Sequence, residues 1–326
     1  MKVLEVNQTW SGSPLDEFLA AHWPTVAKGQ LREMVRAGVI QIDGMRALPS
    51  DKIRDGQVVL VEEEPKTKKV VSKQGAIEIL YQDEHLIAVN KPAGIPVEPS
   101  RWGEHPEYLS AALLQWAQER QGEDEALIAR PRGLHRLDLG TSGVVLYALT
   151  LEAERYYRKL FQNREIEKKY LALVIGEVHE EGEIDAPLGP DRLVNGRMCV
   201  DRYGKDSLTQ YRPSELFRGF SLLEAYPQTG RTHQIRVHLA SIGHPLLVDP
   251  MYGGSEALLL SQLKRGYRPK PGKVERPLMS RLTLHASRLR FVPFGQEQAL
   301  DIEAPLPKDF EVALRQLRKW RRPRRD

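Results

Sequence analysis

The chain has only one cysteine, Cys199, among 326 residues. No internal disulfide can form, which excludes the covalent stapling of small secreted folds and leads us to expect a reducing, cytoplasmic setting. Long apolar runs are missing as well. The longest, Val144 to Leu149, falls far short of the roughly 20 residues that span a bilayer. The opening segment MKVLEV reaches Glu5 with no apolar stretch, so neither an export leader nor a membrane anchor is expected. Charge of one sign is also scarce: 48 Lys and Arg against 44 Asp and Glu leave +4, too small an excess to name a partner. Nine scattered histidines offer no zinc-ligand spacing. His233 and His238 lie five apart, which turns ~500° on a helix and reverses faces on a strand, so a shared metal is not expected. There is no P-loop or dinucleotide fingerprint, and Gly140-Thr141-Ser142-Gly143 runs into Val144, where a nucleophile elbow needs glycine.

What remains is the composition of a globular chain, 41% hydrophobic and 28% charged, long enough for two domains. Ser13-Pro14 followed by Asp16 and Glu17 reads as a helix cap with proline at the first helical position and acids at the positive end of the dipole. Leu15, Phe18, Leu19 and then Leu31, Met34, Val35 recur at helical spacing. Val39 to Ile42 is a short strand entering an Asp43-Gly44 turn, and Val58 to Leu60 closes the sheet. We therefore expect a small α/β module over 1–65 and a linker over 66–75, where Lys66 to Lys73 form a basic cluster. Strands Glu78 to Tyr81 and Leu86 to Val89 follow, and short apolar strands continue to Phe291. Helices are clearest over Tyr108 to Gln118 and Leu151 to Gln162. The pattern is α+β, built on a mixed or antiparallel sheet over 76–305. A basic C-terminal helix or tail over 306–326 carries Arg315, Arg318, Lys319, Arg321, Arg322, Arg324 and Arg325. A further basic cluster spans Lys264 to Lys273, and such clusters suit a polyanion.

One loop concentrates the chemistry. Gly133-Leu-His-Arg-Leu-Asp-Leu-Gly-Thr-Ser-Gly143 places a carboxylate and a hydroxyl pair directly before the apolar strand Val144 to Leu149, a rigid support for a reactive group. Composition alone reads Asp138 as a turn residue, Tyr170 as a core tyrosine and Arg136 as a surface ion-pair partner. The motifs taken together say more. HRLD-x-x-TSG, with Asn90-Lys91-Pro92-Ala93-Gly94 upstream, Lys168 to Gly176, Gly204-Lys205, Thr229 to His238 and Leu284-His285-Ala286 downstream, resembles the RluA family of RNA pseudouridine synthases, in order and spacing, over about 76–305. The first 65 residues resemble the alpha-L RNA-binding module of a small-subunit ribosomal protein.

The resemblance implies an isomerase that converts uridine to pseudouridine in RNA with no cofactor and no metal. It implies Asp138 as the essential carboxylate, Arg236 as its ion-pair partner, and Tyr170 in the uracil pocket. Arg136, His135, Thr141 and Leu284 are expected to contact the substrate, and Lys28 and Arg32 to contact RNA from the N-terminal module. A carboxylate beside a cation is ionised at neutral pH, so it can attack the anomeric carbon, attack the uracil ring, or remove a sugar proton. The residues leave those three routes open. Ribosomal RNA of the large subunit is the expected target, with tRNA as the alternative within the class and a catalytically silent RNA-binding factor as the alternative outside it. A monomer is expected. Val97-Glu98-Pro99 and Val248 depart from the family pattern, and neither is expected to perform chemistry.

Overall fold

The computed structural model describes residues 1–23, 26, 28–65, 77–98, 108–120, 131–268 and 272–323. The expected linker at 66–75 and its basic cluster lie outside these residues. The chain divides into two compact units, Met1–Ile77 with Pro96–Arg132, and Glu78–Ile95 with Gly133–Asp326. Among the described residues no helix is long and apolar enough to cross a membrane.

The first unit sets β1 (Lys2–Glu5), β2 (Ile40–Ile42), β3 (Met45–Arg46) and β4 (Val58–Val61) into an antiparallel sheet of order β1-β4-β2-β3. Helices α1 (Leu15–His22), α2 (Lys28–Ala37) and α3 (Leu109–Arg120) complete it. Asp43 and Gly44 both adopt positive φ, 51° and 76°, the backbone that a two-residue hairpin demands, and so the Asp-Gly turn joins β2 to β3 as expected. Leu15, Phe18 and Leu19 of α1 and Leu31 and Val35 of α2 are buried in one core with Ile40, Val59 and Val61. The cap differs from the sequence reading. Pro14, not Ser13, occupies the N-cap position, and no side chain caps the helix. Ser13 is buried instead, its backbone hydrogen-bonded to Trp10 and Ile53.

The second unit holds β5 (Ile79–Gln82), β6 (Leu86–Lys91), β7 (Arg132–Gly133), β8 (Ser142–Ala148), α4 (Leu151–Gln162) and β9 (Glu167–Ile175). It continues through β10 (Gly182–Asp185), β11 (Leu188–Pro190), β12 (Met198–Val200), β13 (Leu208–Phe217), β14 (Phe220–Pro227) and α5 (Gln234–Ser241). It ends with α6 (Leu260–Leu263), β15 (Leu284–Phe291), β16 (Leu300–Glu303) and α7 (Lys308–Trp320). Ten strands form one sheet of order β10-β13-β14-β9-β15-β8-β6-β5, with β16 added to β15 and β7 to β8. Pairings along that order are antiparallel except β8 with β15, which is parallel.

Strand alternation gives the two faces of this sheet different work. On β9, Ala172 and Val174, with Tyr170 beside them, pack against Ile235 and Leu239 of α5. Leu173, with Leu171 and Ile175 beside it, packs against Phe310, Ala313, Leu314 and Leu317 of α7. The C-terminal helix, legible in the sequence mainly as a dense run of arginines, thus has an apolar face that closes the core. Its acids Asp309 and Glu311 sit in the first turn and Arg318 and Lys319 in the last, matching the helix dipole.

Candidate active site

Asp138 lies in the loop entering β8, and two features hold that loop. The first is Gly143, at φ 119°, where a Cβ would come within 2.1 Å of the Ala286 carbonyl oxygen. Only glycine lets β8 approach β15 so closely, which explains the last residue of the TSG motif. The second is the turn Asn90 to Gly94. Gly94 N–H donates to the Leu139 carbonyl at 2.8 Å. Lys91 is fully buried and its Nζ donates to the carbonyls of Pro92, Ile95 and Leu139 at 2.9, 2.8 and 3.3 Å. Burial pulls its pKa down to about 7, against the opposing charge of Asp138. Three acceptors meet the three ammonium donors, so the turn is tied to the residue after Asp138. Lys91→Met should leave the Pro92 and Ile95 carbonyls without that donor, while Leu139 keeps Gly94 N–H, and cost about 2–4 kcal/mol in denaturant unfolding, since each stranded buried acceptor costs roughly 1–3 kcal/mol.

Arg236, on α5, meets Asp138. Its Nη1 donates to Asp138 Oδ2 at 3.1 Å, while Nε and Nη2 donate to the two carboxylate oxygens of Asp249 at 2.7 and 2.9 Å. Asp249 is fully buried, as is most of Arg236, whereas the Asp138 side chain keeps 24% exposure. Burial opposes the guanidinium charge, but the hydrogen bonds and charges of Asp249 and Asp138 hold its pKa above the ordinary arginine value. The ring of Tyr252 lies 4.9 Å from the guanidinium carbon, and its hydroxyl accepts from Met198 N–H at 2.8 Å. That hydroxyl is also 2.8 Å from His233 Nδ1. A bidentate clamp on one side and a ring beneath leave the guanidinium one orientation, with one nitrogen presented to Asp138.

Sequence reasoning missed Asp249, Tyr252 and His233 as parts of this site, although the neighbouring Val248 stood out as a departure from the family pattern. The signal was present in Val248-Asp249-Pro250-Met251-Tyr252, a polar pair within an apolar setting, but its partner arginine is 13 residues away on another element.

A cavity of about 630 Å³ opens over Asp138. Tyr170, Leu284, Ile235, Leu137 and Thr141 are among its walls, and Arg136, Arg164, Lys168 and Arg231 bring cations to it. Tyr170 is half-buried, and burial together with the charge of Asp138 raises its pKa, so the phenol stays protonated. Burial lowers Lys168 to about 8, with the Arg164 charge acting in the same direction, and its Nζ donates to the Thr229 carbonyl at 3.0 Å. Thr141 is buried, and its hydroxyl has no hydrogen-bond partner among the described residues.

A buried polar network fixes the loop before α5. Thr229 Oγ1 donates to Gln234 Oε1 at 2.6 Å, and Arg231 N–H donates to the same oxygen at 3.0 Å. Gln234 Nε2 donates to Leu208 O and Thr209 Oγ1 at 2.9 and 3.0 Å. Thr209 Oγ1 lies 2.9 Å from His238 Nδ1, and His238 Nε2 donates to Ala186 O at 3.0 Å. His233 and His238 therefore serve different partners. His233 also takes the left-handed conformation, φ 56°, at the helix cap, a strain of order 1–3 kcal/mol that the surrounding bonds hold in place.

The remaining expected site residues divide. Asp138, Arg236, Tyr170, Arg136, Thr141 and Leu284 converge on the cavity. Arg136 is exposed at it, its Nη2 3.4 Å from Thr232 Oγ1. His135 also lines it, but its Nε2 accepts Leu146 N–H at 3.1 Å, so the ring fastens the loop to β8. Lys28 and Arg32 belong to the first unit, where Lys28 pairs with Glu17 and Arg32 with Asp16 at 2.7 Å. Their charge is spent largely within the module, and Arg36 of α2 remains exposed.

Burial also lowers His135 to about 3 and His285 to about 4, from 6.5. The unfolded chain takes up these protons as the pH falls through 6.5 while the native state does not. Both rings therefore favour the fold above pH 6.5, and that contribution is lost on acidification. For His285, bonded to Ser142 at 3.0 Å and to the Ala304 carbonyl, the difference amounts to about 3 kcal/mol. Urea midpoints between pH 7 and pH 4 should fall, and the fall should be shallower in His285→Gln.

A sheet carrying a carboxylate–arginine–carboxylate array at a cavity reached by Arg136, Arg164, Lys168 and Arg231 suits chemistry at a carboxylate on an anionic substrate. The family model for RNA pseudouridylate synthase matches residues 85–241, and the chain belongs to that family. It is an isomerase acting on uridine in RNA. Among its relatives, the ribosomal large subunit pseudouridine synthase D of Xanthomonas campestris pv. campestris is 33% identical over 96% of this chain and 91% of that protein. The protein of the same description from Nitrosomonas europaea is 34% identical over 97% of this chain and 87% of its own length. The solved structure of human RNA pseudouridylate synthase domain containing 4 superposes with a TM-score of 0.54 at 27% identity, covering 74% of this chain and 93% of that one.

Proposed function

We propose that the cavity receives a uridine turned out of large-subunit ribosomal RNA and that Asp138 is the carboxylate acting on it. The observation carrying this reading is that Asp138 is held to Arg236, itself locked by Asp249, at a cavity that Arg136, Arg164, Lys168 and Arg231 also reach, cations suited to flanking phosphates. The reaction breaks the bond from ribose C1′ to uracil N1 and forms the bond from C1′ to C5. The C5 proton leaves to water and N1 gains a proton, so atoms balance without redox or a co-reactant. Tyr170, kept protonated, stacks on the base and supplies a hydroxyl for the proton shuffle at C5. Thr141, with its buried unpartnered hydroxyl, hydrogen-bonds the polar edge of uracil. Leu284 forms an apolar wall, and Arg136 fills the place vacated by the extruded nucleotide. The enzyme acts in the cytoplasm as a monomer and needs no metal.

Ribosomal RNA is favoured because the relatives named above are described as acting on the large ribosomal subunit. Transcripts of large-subunit rRNA and of tRNA, tritiated at uracil C5, test the assignment. Tritium should pass to water from the rRNA transcript and not from tRNA, and release from tRNA alone would reverse the target.

A further inference from the structure

On the face of the sheet opposite the cavity, cations gather from three separate places in the chain. Trp320, at the end of α7, packs against the α7 side of the core, and the ammonium groups of Lys264 and Lys319 each lie 5.0 Å from its ring centre. Its indole Nε1 donates to Gln316 Oε1 at 3.0 Å, which fixes the ring. Arg321 donates to the Gln262 carbonyl of α6 and lies over the Phe220 ring at 5.6 Å. The Arg321 carbonyl in turn accepts Arg218 N–H, from the β13–β14 turn, at 2.7 Å. Arg322 Nε donates to the Arg318 carbonyl at 3.1 Å. Arg218, Lys264, Lys319, Arg321 and Arg322 are thereby brought to one end of α7.

None of these five forms an ion pair among the described residues. Of the acids nearby, Glu215 pairs with Arg318 at 2.8 Å, while Glu177 and Glu275 accept backbone N–H from Gly219 at 2.9 Å and Ser261 at 2.8 Å and keep their charge. Basic residues at a helix C-terminus often do no more than complement the dipole. That dipole amounts to roughly half a negative charge, which together with those two carboxylates still leaves an excess of positive charge among the five cations. Holding an excess of like charge together opposes folding, and an anionic partner removes that opposition.

We infer that this cluster is a second RNA-backbone site, which engages a segment of folded RNA remote from the target uridine. The inference rests on the RNA-isomerase reading of the cavity. The partner is RNA because the chain acts on RNA and because arginine and lysine set around a fixed indole suit phosphates with a base or sugar beside them. It is a remote segment because alternation along β9 puts Tyr170 and the cavity on one face of the sheet and Trp320 on the other. A nucleotide flanking the bound uridine lies against the cavity face. A target of the size and fold of ribosomal RNA can contact both.

The test uses the full chain and the triple variant Lys264→Gln/Lys319→Gln/Arg322→Gln, none of which touches the cavity. Affinity is measured across a salt series with two probes, a transcript of large-subunit rRNA and a short hairpin with a uridine-rich loop. On the long transcript the variant should bind more weakly, with a salt slope smaller in magnitude by about 2–2.7, because each phosphate that is no longer neutralised takes ~0.7–0.9 from the slope. Hairpin affinity should not change, and the variant's unfolding midpoint should not fall below wild type, since removing three like charges relieves their repulsion. An unchanged slope on the long transcript would overturn the proposal, and so would equal weakening on both probes, which would place the cluster in the footprint of the target itself. Tritium release from the transcript by the wild type separates the two claims. A slope change without tritium release leaves the second site standing and removes the reading of the cavity.

Discussion

Asp138→Asn should lower the single-turnover rate of isomerisation by on the order of 10⁴-fold or more while RNA affinity stays within a few-fold. The substitution is isosteric. It removes the charge that faces Arg236 Nη1 at 3.1 Å and leaves cavity volume, the Lys91 anchor and the cations at the cavity in place. A defect in binding would raise the RNA concentration needed for half-saturation. The expected defect is in the rate at saturating RNA, because the carboxylate acts on the base or sugar once bound. Quench-flow with pseudouridine quantified by mass spectrometry measures both. A variant that turns over near the wild-type rate removes Asp138 from the chemistry, whatever the motif.

Arg236→Ala should be the most damaging single change to stability near the site, at about 3–5 kcal/mol in denaturant unfolding, because Asp249 is fully buried and would lose its one ion-pair partner among the described residues. Arg236→Lys separates positioning from charge. A lysine keeps a positive centre but cannot span both oxygens of Asp249 and still reach Asp138, so the variant should remain better folded than Arg236→Ala. Its rate at saturating RNA should still fall by on the order of 10², with half-saturation little changed, since small misplacements of a catalytic group carry such costs. Equal rates in Arg236→Lys and wild type would show that the fork geometry is not used. Equal stability in Arg236→Ala and wild type would show that water reaches Asp249.

The parts of the fold legible in the sequence are those whose physics is local. The Asp43-Gly44 hairpin follows from a backbone preference of two residues, and α4 from Ala153, Tyr157 and Leu160 recurring on one face. The reactive loop was legible because its residues are contiguous and directly precede an apolar strand. Asp249 and Tyr252 were not, because their role exists only once α5 brings Arg236 above an irregular turn, and no periodicity marks such a meeting. The α7 helix falls between these cases. Phe310, Ala313, Leu314 and Leu317 are spaced as one helical face and all are buried, yet the arginines between them dominate the composition and suggest a solvated tail. The same helix meets the core with one face and carries surplus charge at its end, so composition and periodicity each described half of it. His135 adds a role that no motif announces: it stands in the most specific motif of the chain and lines the cavity, and its Nε2 also accepts the backbone N–H of Leu146.

Pseudouridine maps of large-subunit rRNA test the central claim most directly. They should be compared among cells lacking the gene, the same cells supplied with the wild-type protein, and the same cells supplied with Asp138→Asn at equal abundance. At least one uridine of large-subunit rRNA should lose its modification in the deletion, regain it with the wild type and remain unmodified with Asp138→Asn. Restoration by Asp138→Asn, or an rRNA map that the deletion leaves unchanged, would contradict it.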